Sequence, residues 1–140
     1  MRFKYKSAGN YELKIARDGD VGYDLRSKNL RTIYPGETKK IDTGIQLELP
    51  PGYEAQVRPK SGLSLKGILV HLGTIDNGYR GNVGVTVTNL TNENITFGAG
   101  EKVAQLVIKR YEYDALPIEA IEINEETERG EKGYGSTGKF

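Results

Sequence analysis

Apolar and polar residues alternate in several short stretches of this chain, which is the pattern of a β-strand that buries one face. The longest stretch covers 41–49, where every odd-numbered residue is apolar or, at Thr43, a threonine. We predict one nine-residue strand there, ended by Pro50-Pro51-Gly52. Shorter alternating stretches predict strands over 2–6, 53–58 and 83–88.

Further elements are predicted from other patterns. Residues 95–97 form a short strand between two turns, and 103–108 are almost continuously apolar, which predicts a strand covered on both faces. Ile118, Ala120, Ile121 and Ile123 are expected to close the folded part. At most one short helix is expected, over 61–66. Many short strands separated by Gly and Pro turns predict an all-β fold, a jelly-roll-like β-barrel.

The stretch 73–81 holds a carboxylate, an aromatic ring and three glycines within one chain reversal. Asn77-Gly78 favours the positive φ angles of a two-residue hairpin turn, so we predict a hairpin between the apolar residues on either side. Asp76 and Tyr79 flank this turn, and their side chains are expected to point into a cavity. Asp76 is the candidate catalytic group; the alternative is that it only caps the turn.

Composition excludes several kinds of site. The 140 residues fit one domain, and a formal net charge of +1 indicates neither a general nucleic-acid surface nor a membrane surface. The absence of cysteine excludes disulfides and thiolate chemistry, and a single histidine excludes a histidine-rich metal centre. The N-terminus is too polar for a signal peptide, and no apolar run approaches the roughly 18 residues of a membrane span, so we expect an intracellular protein.

The last 17 residues, 124–140, differ from the rest of the chain. They contain few apolar groups, many charges and four glycines, so they cannot bury enough surface to hold themselves in place. We predict a barrel domain over 1–123 and a mobile C-terminal arm over 124–140. At about 3.3 Å per residue the arm extends roughly 55 Å, far enough to reach a neighbouring subunit.

Five segments combine glycine with charged, hydroxyl or aromatic side chains, and together they suggest chemistry. They are 21–25 (VGYDL), 58–64 (RPKSGLS), 73–81 (GTIDNGYRG), 100–106 (GEKVAQL) and 129–138 (RGEKGYGSTG). In this order they resemble the five motifs of the trimeric deoxyuridine triphosphatases (dUTPases). The resemblance runs from about residue 20 to 138, and the closing segment carries the most specific part of it.

The resemblance implies a reaction: dUTP is split into dUMP and pyrophosphate by water that attacks the α-phosphorus, with Mg²⁺ on the triphosphate. This activity would limit uracil incorporation into DNA and supply dUMP for thymidylate synthesis. Asp76 would be the general base, and Asp24 would hold Mg²⁺ through water. An aspartate is ionised at neutral pH but is a weak base, so enclosure under the nucleotide would have to strengthen it.

The resemblance also implies the substrate contacts and a homotrimer whose active sites are shared between subunits. Tyr79 would lie under the deoxyribose and exclude a 2′-hydroxyl. The remaining residues divide by the part of dUTP that they would contact. Uracil would contact the backbone of Gly73, Thr74, Ile75 and Gly84, and the phosphates would contact Lys60, Ser61, Gly62 and Gln105. The closing arm would contribute Arg129, Tyr134, Gly135, Ser136 and Thr137.

Four positions depart from the pattern of the family. Lys60 stands where arginine is usual, which replaces a two-pronged phosphate contact by a point charge. Tyr134 replaces phenylalanine and keeps the stacking face for uracil. Lys132 replaces a glycine of the arm, and Val21 replaces an alanine. None of these changes removes a group that the reaction requires.

Two alternatives remain open from the sequence. Deoxycytidine triphosphate deaminase shares the fold but needs a differently equipped pocket, and Tyr79 with the complete arm favours the triphosphatase. A nucleotide-gated regulatory protein on the same scaffold is the second alternative, although the chain contains no large inserted segment.

Overall fold

The computed structural model describes all 140 residues, Met1 to Phe140, and it confirms the all-β prediction. Eleven strands and one short helix follow one another along the chain. Their bounds are β1 (Lys4–Ser7), β2 (Tyr23–Arg26), β3 (Arg31–Ile33), β4 (Thr38–Asp42), β5 (Ile45–Glu48), β6 (Tyr53–Arg58), α1 (Ser61–Leu65), β7 (Ile68–Val70), β8 (Gly73–Ile75), β9 (Gly84–Asn89), β10 (Ile95–Phe97) and β11 (Lys102–Arg110).

The strands form four antiparallel sheets around one core. The largest sheet has the order β2-β11-β6-β8, and a second has the order β4-β9-β7. The other two sheets are the pairs β1-β5 and β10-β3. Most neighbours in these sheets are distant in sequence, as in a jelly roll. The inward side chains of the sheets meet in a hydrophobic core in which Phe97, Leu25, Leu106 and Val85 are fully buried.

The predicted alternation identifies the buried faces of β6 and β9 correctly, but the strand predicted over 2–6 is β1 (Lys4–Ser7), in which Tyr5 is exposed. Ala55 and Val57 of β6 and Val85 and Val87 of β9 are buried, while their sequence neighbours are more exposed. Strand β11 is buried on both faces, as its continuous apolar sequence predicted. The helix lies within the one segment where it was expected. No helix of the structure has the length and apolar character needed to cross a membrane.

The predicted strand over 41–49 is wrong in one respect: it is two strands that belong to different sheets. The chain breaks at Thr43-Gly44, where Gly44 takes a φ of +74°. The Thr43 hydroxyl donates to the carbonyl oxygen of Val83 at 2.6 Å, and the Gly44 N–H donates to Oδ1 of Asn82 at 2.7 Å. These contacts let β4 pair with β9 and β5 pair with β1. The odd-numbered residues from 41 to 49 stay buried through the break, and Gly44 is buried too.

The predicted two-residue hairpin is also wrong. Strand β7 pairs with β9, but β8 crosses to the other sheet and pairs with β6. Neither Asn77 nor Gly78 has a positive φ. Instead, the N–H of Tyr79 donates to the carbonyl oxygen of Asp76 at 3.0 Å, which closes an ordinary four-residue turn. Asp76 and Tyr79 are the first and last residues of this turn, which we call the Asp76 loop (residues 76–79).

Regular secondary structure ends at Arg110. Ile118, Ile121 and Ile123, which were expected to close the folded part, are 87%, 104% and 76% exposed because no strand of the barrel pairs with their segment. Tyr111 still contacts the barrel, since its N–H donates to the carbonyl oxygen of Gly52 at 3.0 Å. The division at residue 123 and the mobility of the arm stay predictions.

Candidate functional site

A cleft of about 630 Å³ opens beside β2, α1 and β11. It unites three of the five segments singled out in the sequence. From these segments come Val21, Gly22, Asp24, Lys60, Ser61, Gly62, Leu63, Lys102 and Gln105, and Ala16, Asp20 and Lys66 complete the lining.

The sheet register explains why these segments meet. In the pairing of β11 with β2, Gln105 lies opposite Asp24, and in the pairing of β11 with β6 it lies opposite Arg58. Cross-strand partners point to the same face of a sheet, so the three side chains form one row. Helix α1 follows β6 after Pro59 and Lys60, which brings Ser61 and Gly62 to the same end of the sheet.

Asp24 is the electrostatic centre of the cleft. It is only 5% exposed, and its two carboxylate oxygens are each held by a lysine. The Nζ atom of Lys60 lies 2.6 Å from Oδ1, and the Nζ atom of Lys102 lies 2.8 Å from Oδ2. Burial by itself raises the pKa of Asp24, but the hydrogen bonds and charges of Lys102 and Lys60 outweigh it, and the pKa is lowered. Asp24 is therefore ionised at neutral pH.

Gln105 and Gly22 pack directly against each other. The Nε2 atom of Gln105 donates to the carbonyl oxygen of Pro59 at 3.0 Å, which fixes the amide at the cleft wall. A Cβ atom at Gly22 would lie 2.8 Å from Cβ of Gln105, closer than real contacts of this kind. Gly22 thus provides space for Gln105, and its φ is not in the left-handed region.

Lys102 is a site residue to which sequence reasoning assigned no role, although it lies within one of the five segments. In a regular strand, Lys102 and Gln105 point to opposite faces because they are three residues apart. The pairing of β11 with β2 has a bulge between Lys102 and Ala104, which shifts the alternation and turns both side chains toward Asp24. Without the bulge, the strand pattern of the sequence does not predict the contact between Lys102 and Asp24.

Asp76 lies outside this cleft. It is exposed in a second, smaller cleft of about 240 Å³, together with Glu54, Thr74, Asn77, Gly78 and Tyr111. Ile75 pairs with Ala55, so Asp76 lies beside the beginning of β6, whereas Lys60 follows its end. Six residues of extended chain span about 20 Å. A single chain therefore does not bring Asp76 together with the residues around Asp24.

Tyr79 closes the Asp76 loop, and the other predicted contacts lie in β8 and at the start of β9. The ring of Tyr79 is 47% exposed and lies over Gly81, and its hydroxyl donates to the carbonyl oxygen of Asn82 at 2.9 Å. The side chain of Ile75 is buried, so this residue offers only its backbone to a ligand. Gly73 packs on Val57, and a Cβ at Gly84 would overlap the side chain of Lys40, so both glycines allow close packing.

The arm residues form local turns without lining the cleft around Asp24. Arg129 donates from Nε to the carbonyl oxygen of Lys132 at 2.8 Å, and the N–H of Ser136 donates to the carbonyl oxygen of Gly133 at 3.1 Å. Tyr134 is fully exposed and takes a φ of +41°. Five residues predicted as substrate contacts, Arg129, Tyr134, Gly135, Ser136 and Thr137, are thus separate from the cleft within one chain.

The structure is that of a β-barrel protein with a lysine-lined cleft, and the residues predicted for one site lie on separate surfaces of the chain. The chain belongs to the dUTPase family, because the sequence model of that family matches residues 12–138.

Relatives and solved structures agree with this assignment. The deoxyuridine 5′-triphosphate nucleotidohydrolase of Clostridium novyi is 47% identical over 128 residues, with 88% of this chain and 87% of its own length covered. The protein of the same name from Finegoldia magna is 40% identical, with 99% of both chains covered. The dUTPase of Staphylococcus bacteriophage 80alpha, solved with dUpNHpp, superimposes with a TM-score of 0.85 at 28% identity and covers 98% of both chains.

Proposed function

We propose that this protein hydrolyses dUTP to dUMP and pyrophosphate and binds the phosphates in the cleft around Asp24. The observation that carries the proposal is the cluster of Asp24 with Lys60, Lys102 and Gln105 in a cleft of about 630 Å³. The names of its relatives, which are deoxyuridine 5′-triphosphate nucleotidohydrolases, support the same reaction. They also favour the hydrolase over the deaminase.

The cleft supplies cations and hydrogen-bond donors for a triphosphate. Lys60 and Lys102 are 31% and 41% exposed, so their ammonium groups reach solvent while they hold Asp24. Lys66 lies at the same cleft. The first N–H groups of a helix have no partner within the helix, so Ser61 and Gly62 offer backbone donors as well.

Asp24 could help to bind a divalent cation whose other ligands come mainly from the substrate. Mg²⁺ is commonly bound through one or two carboxylates together with phosphates and waters, and the ionised Asp24 at the wall of this cleft fits that pattern. Asp24 would hold Mg²⁺ through water, and the ion would neutralise part of the triphosphate charge when bound. Phosphate oxygens would then compete for the lysines that now hold Asp24.

We assign the chemical step to Asp76 as general base. The oxygen of a water molecule forms a bond to the α-phosphorus, the bond from that phosphorus to the bridging oxygen breaks, and pyrophosphate leaves. Asp76 accepts the proton of the water. Its exposed carboxylate is accessible to water, and Tyr79 presents a ring three residues away on which a deoxyribose could rest.

The separation of Asp76 from Lys60 supports active sites shared between subunits. Asp76 lies beside Glu54, and Lys60 is six residues further along the chain, about 20 Å away, which is too far for both to contact the α-phosphate region of one nucleotide. We propose a homotrimer in which Asp76 of one subunit faces the Asp24 cleft of a neighbour and the arm of a third closes over both. The exposed Leu116, Ile118, Ile121 and Ile123 supply apolar surface for subunit contacts. The intracellular location remains a prediction.

Pyrophosphate release from dUTP, dCTP, dTTP and UTP with Mg²⁺ tests this proposal. The wild-type chain should act on dUTP alone, and Asp76→Asn should lose turnover by a factor on the order of 10² or more. Asp18→Asn, an equivalent change at an exposed aspartate, is the control and should keep full activity. Ammonia released from dCTP would instead indicate a deaminase, and silence with all four nucleotides would refute the enzymatic function.

A further inference from the structure

The side-chain amide of Asn77 reaches from the Asp76 loop to the turn that precedes β6. Its Nδ2 atom lies 2.8 Å from the carbonyl oxygen of Pro50 and 2.9 Å from that of Tyr53. The carbonyl oxygen of Leu49 lies 3.4 Å away. A primary amide has two N–H donors and the side chain is half-buried, so the amide satisfies a group of carbonyls that converge on it.

These acceptors belong to a rigid turn, the Pro-Pro-Gly turn (residues 49–53). Pro50 and Pro51 have fixed φ angles, and Gly52 takes a φ of +83°. The N–H of Tyr53 donates back to the carbonyl oxygen of Pro50 at 3.3 Å, and Tyr53 is the first residue of β6. Asn77 is therefore attached to a part of the barrel with little freedom to move.

The residue next to Asp76 is the one whose side chain joins the Asp76 loop to this turn. Tyr79 has a tether of its own, the hydrogen bond from its hydroxyl to Asn82. Asp76 follows Ile75, which is paired in the sheet, and precedes Asn77. Arg80 donates to the carbonyl oxygens of Asn77 and Tyr79 at 2.7 and 3.2 Å, but these bonds stay within the same segment. The amide of Asn77 instead reaches a different part of the barrel.

The same turn also holds the segment that leads to the arm. The N–H of Tyr111 donates to the carbonyl oxygen of Gly52 at 3.0 Å, and the ring of Tyr113 packs on Gly52, where a Cβ would lie 3.1 Å from Cε1. Tyr111 also lines the cleft that contains Asp76. The Pro-Pro-Gly turn thus contacts both the Asp76 loop and the beginning of the C-terminal segment.

We propose that Asn77 is a positioning residue, which fixes Asp76 against the same Pro-Pro-Gly turn that contacts Tyr111 and Tyr113. This inference rests on the role of Asp76 in the proposed function. Misplacing a catalytic group by about 1 Å can lower a rate on the order of 10²-fold, so an amide that sets the position of a base affects the rate without touching substrate.

Two variants at position 77 test the proposal. Asn77→Asp keeps the shape of the side chain but presents a carboxylate to the carbonyls, and Asn77→Ala removes the amide without adding charge. Asn92→Asp, in the exposed turn between β9 and β10, is the matched control. For each protein we would measure kcat and KM for dUTP, the Kd for dUpNHpp, and the thermal unfolding midpoint, with kinetics run where every variant is fully folded.

We expect kcat to fall about 10- to 100-fold in both Asn77 variants while the Kd for dUpNHpp changes less than about threefold. Asn92→Asp should match the wild type. Wild-type kcat in either folded Asn77 variant would overturn the proposal, and so would equal losses in kcat and in affinity for dUpNHpp. Asp76→Asn, measured in parallel, separates the two hypotheses: if it stays active, the base assignment fails, whatever Asn77 does.

Discussion

The ammonium group of Lys60 lies 2.6 Å from Oδ1 of Asp24, a carboxylate that is almost fully buried at the centre of the cleft. Lys102 holds the other oxygen at 2.8 Å. Each lysine joins Asp24 across sequence positions that are far apart, so this pairing links β2, β11 and the start of α1 at the site. The contribution of these ion pairs can therefore be measured as a free energy of unfolding and as the dependence of that free energy on pH.

The lowered pKa of Asp24 predicts a pH-dependent contribution to stability. A carboxyl group whose pKa is lower in the folded than in the unfolded chain stabilises the fold above its ordinary pKa of 3.8, and this contribution is lost as the pH falls through the folded value. We expect Asp24→Asn to lower the free energy of unfolding at pH 7 by about 1 to 3 kcal/mol. The deficit should shrink as the pH falls below about 4.

Urea unfolding from pH 7 to pH 3, at one protein concentration, measures this deficit. Asp18→Asn, at an exposed position, serves as the control. A deficit for Asp24→Asn that is the same at both ends of the range would show that the charge of Asp24 contributes nothing.

The packing of Gly22 on Gln105 predicts that even one methyl group there is unfavourable. A Cβ at this position overlaps Gln105, whose amide is fixed on Pro59, so Gly22→Ala should cost about 1 to 3 kcal/mol of unfolding free energy. Displacement of Gln105 should also raise KM for dUTP. Gly98→Ala is the matched control, because a Cβ there meets nothing within 4 Å and the φ is ordinary. Equal denaturant midpoints for the two variants would contradict the expectation.

The exposed ring of Tyr79 predicts the basis of sugar selectivity. If the ring excludes a 2′-hydroxyl by its volume, Tyr79→Ala should reduce the preference for dUTP over UTP in kcat/KM by at least about tenfold. Tyr79→Phe keeps the ring and loses only the hydrogen bond to Asn82, so it should keep the preference. Loss of selectivity in Tyr79→Phe would assign the discrimination to the hydroxyl instead.

Removal of the arm should separate folding from activity. No buried residue lies beyond Val107, so a chain truncated after Ile123 should keep its β-rich circular dichroism spectrum. It should assemble as a trimer, measured by light scattering after size exclusion, yet retain little dUTP hydrolysis because the groups of the arm are absent. An unfolded or monomeric product would make the arm a structural element.

Local patterns predicted the buried faces of several strands, though not of the exposed segment 118–123. Alternation identified β6 and β9, continuous apolar sequence identified β11, and the odd positions of 41–49 are buried although the strand itself is broken. These properties depend on the period of a strand, which each short segment carries in itself. The five segments and the all-β class likewise followed from the sequence and its resemblance to a family.

Tertiary structure decided how those pieces meet, because strand pairing joins residues that are distant along the chain. The crossing of β8 to β6 placed Asp76 about 20 Å from Lys60, and the bulge in β11 turned Lys102 toward Asp24. The carbonyls around Asn77 come from a turn more than twenty residues earlier, so no local pattern could indicate them. The sequence alone determined the faces and the candidate groups; only the pairing of the strands determined which groups share a site.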